Sequence, residues 1–229
     1  MQLTPKFNFY TTIHKAIRKE IFSLCVLAGQ IDFNDPKETE SFGEKLDVLF
    51  LLLREHSRHE ETFIHPLLLE KNGVEFELVN KEHRELEDAL ATLEQLFTHL
   101  KAQENKTSCF ELAQNFYLEL CQFASHYLVH LYFEETQLMQ TLTDNYELSE
   151  LDAAMESFKK AQSLDEALAS FTLIFASINP DESLCMLTTI QQSFPPELFN
   201  KVYQLAKSTM SKENWRKIET QFSFTQLSG

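Results

Sequence analysis

Glycine and proline are scarce in this sequence, at 4 and 6 of 229 residues, where average usage would give roughly 16 and 11. Collagen-like, linker-rich and turn-rich all-β chains all need frequent residues with positive or fixed φ, so those classes are excluded. Positive charge is short as well: 20 Lys and Arg face 35 Asp and Glu, a net charge of −15. Nucleic acid and anionic membranes repel such a polyanion, so neither is expected as a partner. The longest apolar run, Val48 to Leu53, falls far below the roughly 20 residues of a membrane helix. Residues Met1 to Asn8 lack a basic segment leading into an apolar one, so no signal peptide is expected. Cys25, Cys109, Cys121 and Cys185 stand far apart with no C-x-x-C pair. That excludes a disulfide framework and a zinc knuckle and points to reduced thiols in the cytoplasm. What is present is apolar mass: 43% hydrophobic and 12% aromatic residues, ample for a buried core. The expectation is a compact, mostly helical protein.

Four long segments carry helical periodicity. The first spans about Phe9 to Gly29, with Ile13, Ile17, Ile21, Leu24 and Ala28 three or four apart. After the polar break Asp32 to Pro36, a second runs from about Lys37 to Leu69, with Leu49, Leu52, His56, Glu60, Phe63 and Leu67 on one stripe. Asn72-Gly73 is expected to end it, as Gly does at helix C-termini. The third, about Phe76 to Lys101, aligns Val79, His83, Leu86, Leu90, Leu93, Phe97 and Leu100. After a polar linker, Gln103 to Ser108, the fourth spans about Cys109 to Leu142 and aligns Phe116, Leu120, Phe123, Tyr127, His130, Glu134 and Leu138. Four amphipathic helices joined by short loops predict an all-α fold, an up-down-up-down four-helix bundle over residues 1–145.

Residues 146–229 read as a helical extension of shorter segments, near Leu148–Lys160, Leu164–Ser177, Asp181–Ser193, Pro196–Lys207 and Ser211–Gln221. Asn179-Pro180-Asp181-Glu182 supplies an N-cap, a first-turn Pro and first-turn acids. The extension has no His, and its apolar stripes suit packing on the bundle, on a partner or on a second copy.

The chemistry concentrates in the four long segments. Residues i and i+4 of a helix share a face, so a His followed four residues later by Glu can offer nitrogen and carboxylate to one ion. Random placement of 8 His and 27 Glu would give about one such pair. There are three, His56/Glu60, His83/Glu87 and His130/Glu134, each on a different helix with its His on the apolar stripe. The remaining helix contributes His14 beside Ile13 and Ile17. A single His on an apolar face is usually a satisfied core residue. Two Glu at such positions are another matter, because a buried carboxylate must be paired or bound to metal. Imidazole and carboxylate without thiolate suit iron or manganese better than zinc. Four His and two bridging carboxylates overfill one ion and suit two, and with an oxo or hydroxo bridge they leave two coordination positions open.

These residues resemble a known family. His14, the stretch His56-Ser-Arg-His-Glu60-Glu-Thr-Phe-Ile-His-Pro66, Glu82-His83-Arg-Glu-Leu and His130-Leu-Tyr-Phe-Glu134-Glu135 look like the hemerythrin-like (HHE cation-binding) domain, over roughly residues 8–142. The extension is similar to that of many bacterial members. The resemblance implies two iron ions, with an oxo or hydroxo bridge, that bind O₂, peroxide or NO between the helices. It carries over His14, His56, Glu60, His83, His130 and Glu134 as ligands. The implied roles are sensing, scavenging or iron handling; an oxidase- or peroxidase-type enzyme and a metal-free helical interaction module are the alternatives. Oxygen-carrying hemerythrins have a fifth His one turn after the third-helix His, where this chain has Glu87. Either Glu87 ligates, favouring ferric iron, or His126, one turn before His130, supplies the fifth nitrogen. His59 reads as solvent-facing or as a support to the ligands, His65 and His99 as structural, and Tyr127 as core packing.

Overall fold

The computed structural model describes residues 8–71, 73–104 and 106–226, and among them every regular element is a helix. Asn8 opens α1 (Thr11–Ala28), its side-chain oxygen accepting from the N–H groups of Tyr10 and Thr11. At α2 (Pro36–Phe63), Asp35 caps the first turn by accepting from the N–H groups of Lys37 and Glu38, and Pro36 fills the first helical position. Then follow α3 (His65–Lys71), α4 (Gly73–Lys101) and α5 (Lys106–Phe133). No helix among the described residues is long and apolar enough to cross a membrane.

Two departures from the sequence expectation shape the site. The second segment does not run unbroken from Lys37 to Leu69: α2 stops at Phe63, Ile64 caps it, and α3 starts at His65. Pro66 supplies the reason, since its ring clashes with the carbonyl four residues earlier and it has no N–H to donate. The break resets the helical phase. Ile64, His65 and Leu68 are buried, whereas Phe63 and Leu67, which continue the α2 stripe, are only half-buried. The helix end expected at Asn72-Gly73 falls partly outside the described residues: Asn72 is not described, and Gly73 opens α4.

The second departure lies in the fourth segment. It continues past Phe133 but passes through a π-helical turn, Glu134–Leu138, before α6 (Met139–Asn145). The N–H of Met139 donates to the carbonyl of Glu134, five residues back. The buried residues His130, Glu134, Leu138 and Leu142 repeat every four positions. In a 3.6-residue helix each such step drifts about 40° around the axis, and the wider turn takes up that drift.

The chain divides into two compact units, one of residues 1–11 and 17–159, the other of 12–16 and 160–229. In the first, α4 packs along α5, α2 packs on α4, and α3 packs on α2, α4 and α6. Phe33, Phe42, Phe97 and Phe116 form one aromatic cluster with ring centroids 5.6 to 6.1 Å apart. A separate apolar cluster joins Tyr10, Ile64, Leu68, Val79, Leu138, Met139, Leu142 and Leu151, the last from α7 (Leu148–Ala161).

The second unit contains α8 (Leu164–Phe175), α9 (Pro180–Ser193), α10 (Pro196–Thr209) and α11 (Lys212–Gln226). Ser163 with Glu166 and Asn179 with Glu182 form reciprocal capping boxes at α8 and α9. Ile174, Phe175, Leu187, Phe199, Val202 and Trp215 lead its core. These helices match the expected positions closely, because Pro, Ser and Asn caps mark their starts.

Candidate metal centre

His56 and Glu60 come from the last two turns of α2, His83 from α4, His130 from the end of α5, and Glu134 from the first residue of the π turn. His14 lies in the first turn of α1. All six side chains are buried, none more than 7% exposed. His56 Nε2 lies 3.2 Å from Glu60 Oε1, and His130 Nε2 lies 3.0 Å from Glu134 Oε1. His83 Nε2 stands between the carboxylates, 3.6 Å from Glu60 Oε2 and 3.5 Å from Glu134 Oε1. Two groups of convergent ligand atoms result, each with all its atoms within 4.8 Å of one another. One is His14, His56, Glu60 and Glu134; the other is Glu60, His83, His130 and Glu134. Both contain the same two carboxylates.

Two of the four imidazoles are held from behind. His83 Nδ1 lies 3.1 Å from Glu61 Oε1 and His130 Nδ1 lies 2.9 Å from Glu82 Oε2. A carboxylate oxygen can only accept, so each ring donates from Nδ1 and turns a bare Nε2 inward, the tautomer a metal ligand needs. Arg18 grips Glu135 with two parallel bonds of 2.6 and 2.9 Å, fixing the residue next to Glu134. Glu61, Glu82 and Arg18 were not recognisable as supports from sequence, although Glu61 and Glu82 each adjoin a candidate ligand.

The electrostatics are those of a crowded, dry site. Burial, and then Glu134, push the Glu60 carboxyl well above the usual carboxylate range. Burial acts on Glu134 too, but His130, with His83 and His56, outweighs it and holds that carboxyl well below the range. At His130 burial opposes protonation, yet Glu134 and then Glu82 carry the imidazole up to about 9. Burial, and then the charges of Glu60 and Glu134, raise the phenols of Tyr10 and Tyr127. Tyr127 stacks edge-on against His130 at 5.7 Å.

Neither residue weighed as a fifth ligand reaches the cluster. Glu87 is exposed and pairs with Arg54 Nε at 3.0 Å, because the α4 stripe turns it outward one step from buried Leu86. His126 is exposed on α5, although Phe123 and Tyr127 to either side of it are buried. His59 is half-buried against Phe158, and His99 sits near the end of α4. His65, read from sequence as structural, is buried with its ring 4.8 Å from that of His83. Burial, and then His83, lower its imidazole to about 4.

Compared with protein-family models, curated proteins and solved structures, the chain finds no match. The buried His and Glu cluster of this all-helical protein is therefore the basis for any functional reading.

Proposed function

We propose that this is a non-haem di-iron protein of hemerythrin-like type, with His14, His56, Glu60, His83, His130 and Glu134 as ligands. One observation supports the reading above all: the two groups of convergent ligand atoms share both Glu60 and Glu134. Two ions placed in those groups would each take two imidazoles and be joined by two carboxylates. Six buried ligands, with His83 and His130 oriented by carboxylates, fit such a pair, and the donor set of nitrogen and oxygen suits iron. α1, α2, α4 and α5 would be the helices of an up-down-up-down bundle in a metal-bearing domain of residues 1–145. Residues 146–229 would form a helical extension open to a protein partner or a second copy.

Bound iron would supply one-electron chemistry and open coordination positions, and the protein's residues supply the rest. Glu61 and Glu82 hold protons on the outer nitrogens of His83 and His130. The ligand residues are themselves buried, so a small ligand such as O₂, peroxide or NO would meet the centre in low-dielectric surroundings. The function is sensing, scavenging or iron handling by means of that small ligand. Optical spectra of the iron-loaded protein test it: azide and O₂ should each produce new absorption bands, and a spectrum blind to both would count against the proposal.

Tyr127, buried against the His130 ring, and buried Tyr10, whose phenol the charges of both carboxylates raise, favour a second reading as an oxidase- or peroxidase-type enzyme at the same site. Sustained turnover of hydrogen peroxide or iron(II) would separate catalysis from binding alone.

A further inference from the structure

His65, His83 and His130 form a run of three imidazoles, with ring centroids 4.8 and 4.9 Å apart along it. They share one hydrogen-bonding pattern. Each presents Nδ1 to a side-chain oxygen: Asn80 Oδ1 at 3.1 Å for His65, Glu61 Oε1 at 3.1 Å for His83 and Glu82 Oε2 at 2.9 Å for His130. An accepting oxygen places the hydrogen on Nδ1 and leaves Nε2 as a bare lone pair. In all three rings that Nε2 is buried and meets no hydrogen-bond donor of the protein.

The runs differ at one point. Nε2 of His83 and of His130 face Glu60 and Glu134, and both residues belong to a group of convergent ligand atoms. His65 belongs to neither group. Its ring nonetheless lies 4.8 Å from that of the ligand His83, and its Nε2 is buried with no protein donor. A buried acceptor of this kind is costly unless something donates to it, and a small proton-bearing molecule beside His83 can do so. Asn80, from α4, fixes the tautomer, and the helix break at Ile64 turns the ring inward.

Building on the reading of the cluster as a metal centre, we propose that His65 Nε2 accepts a hydrogen bond from a proton-bearing small ligand held there. Water and hydrogen peroxide can make that bond. Azide and NO carry no proton to give and gain nothing from His65. His65 is thus a specificity-determining residue that favours hydrogen peroxide over aprotic ligands, and it does so without ligating the metal.

The test uses the iron-loaded full chain and the variants His65→Leu, which removes the acceptor, and His65→Gln, whose side-chain oxygen can replace it. Three quantities are read: iron per chain, azide affinity of the oxidised protein, and the rate constant for reaction of the reduced protein with hydrogen peroxide. For His65→Leu, loss of one hydrogen bond should slow the peroxide reaction about tenfold. Azide affinity should stay within about twofold and iron content should match the wild type, while His65→Gln keeps most of the peroxide rate. In metal-free wild type, nitrogen NMR should find His65 protonated at Nδ1. An unchanged peroxide rate in His65→Leu, a parallel loss of azide affinity, a fall in its iron content, or an Nε2–H tautomer would each overturn the proposal. A wild-type protein that takes up no iron would instead overturn the reading on which it rests.

Discussion

His130 Nε2 lies 3.0 Å from Glu134 Oε1, both side chains buried, with Glu82 behind the imidazole at 2.9 Å. Against the burial that opposes it, this pairing raises His130 to about 9, above its ordinary value of 6.5. A group whose folded value is raised stabilises fully below its unfolded value, and the contribution is lost as pH rises through the folded one. Glu60, raised by burial and by Glu134, has the same sign. Protein stripped of metal should therefore lose stability between pH 6.5 and 9, by about 3 kcal/mol at most for His130. Denaturant melts across that range check it, and a flat or rising profile would contradict the pairing. Metal addition should remove the loss, because ligands must shed protons to bind.

Glu61 and Glu82 accept from His83 and His130, so Glu61→Gln and Glu82→Gln should each weaken iron(II) binding roughly 10- to 100-fold. Competition with a chelator measures this. Glu85→Gln, at an exposed Glu paired with Lys81, should leave affinity unchanged.

Much of this arrangement was readable in the sequence. The four His positions and the two Glu stand out because they fall on apolar stripes, where a carboxylate has no business without a partner. The tail helices were legible in part from their caps, Asn179-Pro180 among them, while the capping box of Ser163 emerges from the structure. Three features were hidden. The inward turn of His65 depends on the break that Pro66 imposes, and a stripe extended through Phe63 to Leu67 gives the wrong phase. The π turn was encoded only as a run of four-residue steps, His130, Glu134, Leu138 and Leu142, which a regular helix could not keep buried. Glu87 matched the His-then-Glu spacing by sequence alone; Arg54, on another helix, binds it at the surface.

Gly43 sits where a Cβ would come within 2.9 Å of the Phe97 ring. Phe97 cannot give way easily, since Phe42 and Phe116 flank it at 5.7 and 5.6 Å. Gly43→Ala gains about 1 kcal/mol in helix propensity but overpacks the core by roughly 1–3 kcal/mol. A lowered Tm is expected, and an unchanged or higher one would show that the aromatic cluster yields.

Burial, and then Cys121, push the Cys25 thiol up to about 11. At pH 7.5 well under about 1% of it is thiolate, the form that reacts. Iodoacetamide should label exposed Cys185 first and Cys25 far more slowly, as read by mass spectrometry of timed digests. Equal rates at the two sites would contradict the assigned environment of Cys25.

The central claim is that two groups of buried ligand atoms joined by Glu60 and Glu134 hold two iron ions. Elemental analysis of the protein purified after expression in iron-rich medium tests it most directly, beside a variant carrying His56→Ala and His130→Ala. The account predicts about two iron per wild-type chain, as two six-coordinate ions would fill the donor set, and little or none in the variant. Wild-type protein without a transition metal, or a variant that retains the full complement, would contradict it.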